Sequence, residues 1–177
     1  MHNPAGKTIL YDGKYARFVR RGNWEYAERA NATGIVGILA VTAENKVLLV
    51  EQFRPPVNRR VIELPAGLAG DVPGESTESL ATAARRELLE ETGYEAQEMV
   101  FLTHGAASAG ITDEVISIFR ATGLKRTGPG VGDGGEDITL HEIPLESVHS
   151  WLEEKQRLGA LLDLKVYTGL YFLMARK

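Results

Sequence analysis

The 177-residue chain is 44% hydrophobic, which suits one domain with a buried core and leaves too little length for two. Its formal net charge of −4 argues against a general nucleic-acid-binding protein, because such proteins need a basic surface to neutralise phosphates. The absence of cysteine excludes disulfides, zinc–thiolate sites and cysteine nucleophiles.

The N-terminal third is predicted to form β structure. Short runs rich in Val, Ile, Tyr and Phe alternate there with turn residues. In "TILYDGKYARFVRR" the pair Asp12 and Gly13 separates two such runs and predicts a hairpin. The continuously apolar "GIVGILAV" is typical of a strand buried on both faces. We expect "VLLVEQF", reached through the turn "TAENK", to be its antiparallel partner.

The rest of the chain alternates helical and extended patterns. A helix is predicted from Glu78 to Thr92, where Ala, Leu, Arg and Glu predominate, and Gly93 suits its left-handed C-terminal cap. "VISIFRA" predicts a further strand, "LESVHSWLEEK" repeats apolar residues at helical spacing, and "LLDLKVYTGLYFLM" predicts a second, more buried helix. This order favours an α+β fold in which a mixed β-sheet packs between helices.

No segment has the character of a leader or a membrane anchor. "MHNPAGKTIL" lacks the apolar core of a signal peptide. The longest apolar candidate, "ALLDLKVYTGLYFLM", is interrupted by Asp163 and Lys165 and is shorter than the roughly 20 residues that span a bilayer. We therefore expect a cytoplasmic protein without a membrane or nucleic-acid partner.

The segment "RRELLEETGY" concentrates carboxylates on one helix face. Residues three and four apart lie side by side on a helix, so Glu87, Glu90 and Glu91 converge, with Arg86 beside them. One interpretation is a solvated face balanced by arginines. The preceding "ELPAGL" favours another, because this apolar, glycine-containing turn brings backbone carbonyls close to the helix. Clustered carboxylates and a carbonyl form an all-oxygen site that suits Mg²⁺ or Mn²⁺.

These residues resemble the signature of the Nudix hydrolase family. In that signature a glycine, five residues, a glutamate and seven residues precede Arg-Glu-apolar-any-Glu-Glu-any-Gly-apolar. Glu78 stands seven residues before Arg86, and "RELLEETGY" completes the pattern. The front half departs from it, because ten residues rather than five separate Gly67 from Glu78. Glu75 is an alternative first glutamate, with the insertion after it.

The resemblance implies an α/β/α sandwich and a divalent-metal site. Glu87 and Glu91 would be the main ligands, Glu90 an additional ligand, and the carbonyl of Ala66 a backbone ligand. Arg86 would pair with a carboxylate of the motif and hold it in position. Mg²⁺ or Mn²⁺ in such a site neutralises a pyrophosphate, orients a water and stabilises the leaving phosphate.

The likeness extends from about Trp24 to the C-terminal helix. "VLLVEQFRPPV", "IELPAGL" and "GITDEVISIF" resemble ADP-ribose and nucleoside-diphosphate-sugar pyrophosphatases. This implies that Arg54 reaches the diphosphate, although an arginine before a proline turn is also a common surface residue. It further implies an N-terminal antiparallel β extension, residues 1–32, exchanged between the subunits of a homodimer, and a Nudix domain, residues 33–177. Trp24 or Tyr26 would stack on a nucleobase, unless they are core residues.

Residues after the motif bear on the identity of the substrate. ADP-ribose hydrolases usually carry Ser-Pro-Gly about sixteen residues after the motif glycine, and the corresponding substrate-binding stretch here is Ser108, Ala109 and Gly110. Because the proline is missing, ADP-glucose, UDP-glucose and GDP-mannose stay open as substrates beside ADP-ribose.

A glycine-rich stretch, "LKRTGPGVGDGGEDITL", is predicted to be a lid. It contains Gly-x-Gly-x-x-Gly but opens no helix, which argues against a dinucleotide-binding motif. Related pyrophosphatases carry a loop glutamate at its end, so Glu136 is the predicted base or closing metal ligand, with Asp133 as the alternative. The competing interpretation is that both carboxylates only keep a loop soluble.

Together these features predict Mg²⁺-dependent hydrolysis of the diphosphate in a nucleoside diphosphate linked to a sugar. With ADP-ribose the products are AMP and ribose 5-phosphate. A Nudix fold that binds a nucleotide sugar without cleaving it is an alternative from another class, although all three glutamates of "RELLEE" are present. A nucleoside triphosphate hydrolase is a further alternative, but it would need neither the N-terminal extension nor the long lid.

Overall fold

The computed structural model describes residues 6–71, 77–130 and 137–175. The described order of strands, helix, strands and two helices agrees with the sequence pattern, with one short strand added between the last two helices. The elements are β1 (Lys7–Asp12), β2 (Ala16–Arg21), β3 (Trp24–Arg29), β4 (Gly34–Ala40), β5 (Lys46–Arg54), β6 (Arg59–Glu63), β7 (Ala66–Ala69), α1 (Leu80–Thr92), β8 (Tyr94–Glu95), β9 (Glu98–Ala106), β10 (Val115–Thr122), β11 (Lys125–Arg126), β12 (Ile138–Pro144), α2 (Val148–Arg157), β13 (Leu161–Leu162) and α3 (Leu164–Met174).

Two mixed four-stranded sheets form the centre of the molecule. Their strand orders are β7-β4-β10-β9 and β12-β5-β6-β13. The pairs β4 with β10 and β6 with β13 are parallel, and the other neighbours are antiparallel. A separate three-stranded antiparallel sheet, β1-β2-β3, precedes them. The α+β class with an N-terminal antiparallel extension is confirmed.

The expected pairing of "GIVGILAV" with "VLLVEQF" is wrong. β4 pairs with β7 and β10, whereas β5 pairs with β6 and β12. The turn between β4 and β5 joins them only through an isolated bridge between Val41 and Val47. β4 is apolar throughout and β5 is apolar from Val47 to Val50, so neither the face nor the partner of each strand is encoded in an alternating pattern.

Two apolar layers enclose the sheets and confirm the α/β/α sandwich. Alternate residues of the central strands point to opposite layers, as the two-residue period of a strand requires. Val36, Ile38, Leu48, Ala83, Ala84 and Leu88 belong to the layer beneath α1. Leu39, Leu49, Ile62, Leu152, Val166 and Leu170 belong to the layer beneath α2 and α3.

Helix α1 begins two residues later than predicted because Ser79 is its N-cap. The Ser79 hydroxyl accepts a hydrogen bond from the Thr82 amide at 3.1 Å, which satisfies one of the free amides of the first turn. At the other end Gly93 adopts φ 71°, a left-handed conformation that costs glycine little, and its amide donates to the Leu89 carbonyl at 2.8 Å. Both ends of the glutamate-bearing helix are therefore fixed.

The predicted C-terminal helix is confirmed from Leu164 onward, but its first residues are not helical. Leu161 and Leu162 form β13, which extends the second sheet beside β6. One stripe of α3 stays exposed and includes Tyr167 and Tyr171. Within the described residues, no helix has both the length and the apolar character required to cross a membrane.

An ion cluster joins β5, β6, β12 and α2 on the face of β5 opposite α1. The Glu51 carboxylate accepts hydrogen bonds from Arg60 Nε at 2.8 Å and Lys155 Nζ at 2.7 Å, and it lies 2.8 Å from Nε2 of His141. Burial alone would raise the pKa of Glu51, but the bonds from Lys155 and His141 outweigh it and lower the pKa to about 2. Burial also lowers the pKa of His141. The cluster binds together elements that are distant in sequence.

The N-terminal sheet buries little of its own surface. All six residues of β1 are exposed, and large side chains such as Tyr11 (69%) and Tyr15 (70%) face solvent. The sheet is attached to the rest of the chain through β3, where the Ala27 amide donates to the Ile111 carbonyl at 2.9 Å. A three-stranded sheet with so small an apolar interior is marginal by itself.

Candidate active site

The candidate site lies where α1 packs on β7. Gly67 makes this contact possible, since a Cβ at that position would lie 1.9 Å from Cδ of Glu87. The Glu87 carboxylate therefore rests directly on the β7 backbone, where the Leu68 amide donates to Oε1 at 3.2 Å. The turn "ELPAGL" thus approaches the helix carboxylates as closely as the sequence predicted.

The guanidinium of Arg86 contacts four carboxylates, those of Asp71, Glu78, Glu87 and Glu90. Its Nη1 donates to Glu87 Oε1 at 2.9 Å and to Glu90 Oε2 at 3.1 Å. Its Nε and Nη2 donate to the two oxygens of Glu78, each at 3.3 Å, and Nη2 also donates to the Leu68 carbonyl at 2.8 Å. The positive charge of Arg86, held by its hydrogen bond to the β7 backbone, allows the negatively charged side chains of the helix face to lie close together.

Glu78 acts as a partner of Arg86. It directly precedes the N-cap of α1, and its side chain is only 2% exposed. The Gly70 amide donates to its second oxygen at 3.3 Å, and the hydrogen bonds from Arg86 lower the pKa of the Glu78 carboxyl. The alternative first glutamate, Glu75, lies outside the described residues, so the choice between the two stays a prediction.

The carboxylate face retains an electrostatic cost despite Arg86. Burial raises the pKa of Glu87 to about 7; Arg86 opposes this rise and Glu90 adds to it. A carboxyl with a pKa near neutrality carries only part of its charge at pH 7, unless a further cation stabilises the ionised form. The site therefore favours an additional positive charge.

Glu91 is the most buried carboxylate of the helix face, at 4% exposure. Its Oε2 accepts a hydrogen bond from the Ala66 amide at 3.1 Å, and its Oε1 accepts one from Nε2 of Gln52 at 3.3 Å. The structure thus brings Glu91 into contact with the backbone amide of Ala66, and the roles of Glu91 and of the Ala66 carbonyl as ligands of one ion stay predictions.

These groups fit a hard divalent cation by their chemistry. Glu87, Glu90 and Glu91 offer only oxygen atoms, which Mg²⁺ and Mn²⁺ prefer, and burial, with a smaller contribution from Glu90, raises the pKa of Glu87 in spite of Arg86. Within the described part of the chain, no three acidic or histidine side chains are grouped closely enough to enclose an ion. Arg86 draws Glu87 and Glu90 to one side, while Glu91 is held by other donors.

Arg54 ends β5 on the same face as the glutamates. Side chains alternate along a strand, so Arg54 shares the face of Gln52, which contacts Glu91. Arg54 Nε donates to Glu63 Oε1 at 2.5 Å, and the Glu63 side chain is 6% exposed. Arg59 is the cross-strand partner of Arg54. Two cations therefore lie at this end of the β5–β6 hairpin.

Comparison with known proteins identifies the family. The chain matches the family model of the NUDIX domain over residues 32–161. It belongs to the Nudix hydrolase family. A solved structure described as an ADP compounds hydrolase shares the Nudix fold with a TM-score of 0.64 and 20% identity, covering 85% of this chain and 82% of that one.

Three relatives from the curated proteins align over most of the Nudix chain. An ADP-ribose pyrophosphatase of Bacillus subtilis is 33% identical over 182 residues, which cover 97% of this chain and 91% of that protein. An ADP-sugar pyrophosphatase of Mus musculus is 32% identical, covering 93% of this chain and 74% of its own. A methanol dehydrogenase activator of Bacillus methanolicus is 34% identical, covering 81% of this chain and 74% of its own.

The two predicted nucleobase contacts lie on the extension that precedes the Nudix match. Trp24 begins β3, opposite Arg21, and is 61% exposed. Tyr26 lies opposite Val19 and is half-buried. Trp24 is therefore not a core residue, whereas Tyr26 is partly covered. Their contact with a base stays a prediction.

Ser108 and Gly110 lie in the exposed loop between β9 and β10. The Ser108 carbonyl accepts hydrogen bonds from the Ile111 and Thr112 amides, each at 2.9 Å, and the loop is tied to Ala27 of β3. The loop therefore adjoins the N-terminal extension, which also carries Trp24. Its predicted role in binding substrate stays a prediction.

The predicted loop base falls outside the described residues, as does its alternative, Asp133. The chain just before this stretch is fixed to the end of the Nudix helix, because the Thr127 amide donates to the Gly93 carbonyl at 2.9 Å. The described chain resumes at Asp137, directly after Glu136. The assignment of the base stays a prediction.

Sequence reasoning missed two polar residues of the site, Gln52 and Glu63. Both are buried and lie on the α1 face of neighbouring strands, where they contact Glu91 and Arg54. The available signal was a polar residue within the otherwise apolar runs "VLLVEQF" and "VIEL", since buried polar side chains need partners. The identity of those partners depends on strand register, which the sequence does not state.

Proposed function

We propose that this Nudix hydrolase cleaves the diphosphate of ADP-ribose to give AMP and ribose 5-phosphate. The observation that carries the proposal is the set of helix carboxylates held against the β7 backbone by Arg86, with Arg54 on the same face. The names of the relatives in Bacillus subtilis and Mus musculus support an ADP-linked sugar as the substrate.

The proposed chemistry divides between the helix and the hairpin. Glu87, Glu90 and Glu91, with the Ala66 carbonyl, would hold Mg²⁺ or Mn²⁺, which neutralises the diphosphate and activates a water when bound. Arg86 keeps the helix carboxylates in one place. Arg54 lies on the same face, where its guanidinium suits a planar, bidentate contact with a phosphoryl group.

The proton acceptor is proposed to be Glu136, with Asp133 as the alternative. A carboxylate within hydrogen-bond reach of the attacking water can accept its proton. The chain before this stretch is attached to the end of the Nudix helix at Gly93, which supports the idea that the stretch lies within reach of the site.

The relatives differ in the functions for which they are named, and coverage favours the pyrophosphatase. The methanol dehydrogenase activator and the ADP-ribose pyrophosphatase have nearly equal identity, 34% and 33%. The pyrophosphatase aligns with 97% of this chain, including the N-terminal extension, and the activator with 81%. We therefore rank hydrolysis of ADP-ribose first. Other nucleotide sugars come second, because Ala109 replaces the usual proline.

We further propose that the protein is a homodimer in which residues 1–32 are exchanged. The Nudix match begins at residue 32, which supports a boundary there. The sheet β1-β2-β3 exposes Tyr11, Tyr15 and Trp24, and a second subunit would cover such side chains. The cytoplasmic location and the lack of a nucleic-acid partner stay predictions.

The proposal is tested with a panel of ADP-ribose, ADP-glucose, UDP-glucose, GDP-mannose and nucleoside triphosphates, with Mg²⁺ and then Mn²⁺. For the nucleotide sugars, phosphatase added in excess releases phosphate only from the monophosphate products. Phosphatase attacks nucleoside triphosphates directly, so their hydrolysis is followed without it, by chromatographic separation of the products. We expect ADP-ribose to give the highest kcat/KM, and Glu91→Gln to abolish turnover without loss of fold. If the protein binds ADP-ribose tightly but cleaves no compound of the panel, the hydrolase proposal fails and the protein is a nucleotide-sugar-binding module.

A further inference from the structure

The amide of Gln52 is buried on a face of β5 whose preceding residues, Leu48 and Val50, are apolar and fully buried. Gln52 follows Val47, Leu48, Leu49 and Val50 of β5 and is 7% exposed. Burying an amide costs free energy unless its polar atoms find partners. Its Nε2 donates to Oε1 of Glu91 at 3.3 Å. The hydrogen bond to Glu91 therefore offsets part of the free energy that burial of the Gln52 amide costs.

The two oxygens of Glu91 are held by different elements. Gln52 on β5 contacts Oε1, and the Ala66 amide at the start of β7 contacts Oε2 at 3.1 Å. With Gln52 on one oxygen and Ala66 on the other, rotation of the carboxylate about its terminal bond breaks at least one of these hydrogen bonds. Each carboxylate oxygen has more than one lone pair, so both contacts are compatible with binding a cation.

The charge of the donor also matters. Arg86 supports Glu87 and Glu90 with a positive charge, whereas Gln52 supports Glu91 with a neutral amide. A lysine or arginine at position 52 would compete with a divalent cation for the carboxylate, and an apolar residue would leave one oxygen without this donor. A neutral donor orients Glu91 while preserving its negative charge.

We propose that Gln52 is a positioning residue that orients the Glu91 carboxylate for a divalent cation. The inference rests on the proposed function, in which Glu91 is a metal ligand. Groups that orient metal ligands commonly contribute about 10- to 100-fold to metal affinity or activity. Gln52 acts through Glu91, so its removal lowers metal affinity and kcat more than it changes the KM for substrate.

The test replaces Gln52 by methionine, which has similar length and volume but no amide. Binding of Mn²⁺ is measured directly, by the electron paramagnetic resonance signal of the free ion, in the full-length protein. We expect Gln52→Met to weaken Mn²⁺ binding about 10-fold, with a parallel fall in kcat and a KM for ADP-ribose within about twofold. Gln156→Met, the same change at an exposed position of α2, is the matched control.

A double-mutant cycle separates positioning from a general loss of structure. In the Glu91→Gln background, Gln52→Met should have no further effect on Mn²⁺ binding, because the carboxylate it orients is absent. Equal losses in both backgrounds, or Mn²⁺ binding by Gln52→Met within about twofold of the wild type, would overturn the inference. If Gln52→Met does not fold, Gln52→Asn, which is one methylene too short to reach Glu91, is judged by the same criteria.

The outcome does not depend on the identity of the substrate. If the wild-type protein binds Mn²⁺ but cleaves no compound of the panel, the proposed function fails, and the inference on Gln52 is still judged from Mn²⁺ binding. If the wild type cleaves ADP-ribose and Gln52→Met binds Mn²⁺ normally, the inference fails and the proposed function stands.

Discussion

Replacing Gly67 by alanine should separate activity from stability. A Cβ at this position would lie 1.9 Å from Cδ of Glu87, whereas ordinary contacts begin at about 3.4 Å, so the carboxylate must retreat by at least about 1.5 Å (3.4 − 1.9). The atoms that must move are the far end of one side chain, not backbone. The Leu68 amide and Arg86, now at 3.2 and 2.9 Å from Glu87 Oε1, would lose that partner.

A displacement of about 1 Å at a reacting centre can cost about 100-fold in rate. We therefore expect Gly67→Ala to lower kcat/KM for ADP-ribose at least 100-fold, while the midpoint of thermal unfolding falls by no more than about 4 °C, or roughly 1 kcal/mol. Gly105→Ala on β9 is the control, since a Cβ there meets nothing within 4 Å. Activity of Gly67→Ala within threefold of the wild type would refute the assigned role of Glu87. Unfolding of the variant would refute the claim that the Glu87 side chain moves while the backbone keeps its place.

Three further predictions follow from the ion pairs and from the loop. The pKa of Glu51 is lowered to about 2 in the folded protein, so its stabilisation is complete above its ordinary value near 4.5 and is lost as the pH falls towards 2. Glu51→Gln should lower the free energy of unfolding at pH 7 by about 2 kcal/mol, measured by urea titration. Below pH 4.5 the free energy of unfolding should fall less steeply with decreasing pH in the variant than in the wild type. Equal dependence on pH in both proteins would contradict this. Arg54→Ala should raise the KM for ADP-ribose about 10-fold or more, and rescue of the KM by Arg54→Lys would argue against bidentate binding of the phosphoryl group. Glu136→Gln should lower kcat by about 100-fold or more with little change in KM. If Glu136→Gln keeps the kcat of the wild type and Asp133→Asn lowers it, Asp133 is the base.

Local signals predicted the three helices and five of the thirteen described strands, namely β1, β2, β4, β5 and β10. The run of Ala, Leu, Arg and Glu gave α1, Gly93 marked its end, and Asp12 with Gly13 marked the first hairpin. The pairing of β4 with β5 was wrong because adjacent strands that are buried on both faces carry no polar face to set their partners. The two leucines of β13 were assigned to α3 because a two-residue strand is too short to show a period.

The site was predictable where its residues share one helix. The spacing of Glu87, Glu90 and Glu91 fixes their common face whatever the rest of the chain does. Gln52 and Glu63 come from β5 and β6, and their relation to the helix depends on register and layer order. Such contacts between sequence-distant elements follow from the assembled fold and not from local pattern.

The guanidinium of Arg86 gives the protein an internal counter-ion. It pairs with four carboxylates, those of Asp71, Glu78, Glu87 and Glu90, without a divalent ion, so we expect the folding of the site not to depend on the proposed metal. A chelator should therefore stop catalysis while leaving the thermal transition nearly unchanged, unlike its effect on proteins whose metal is part of the fold.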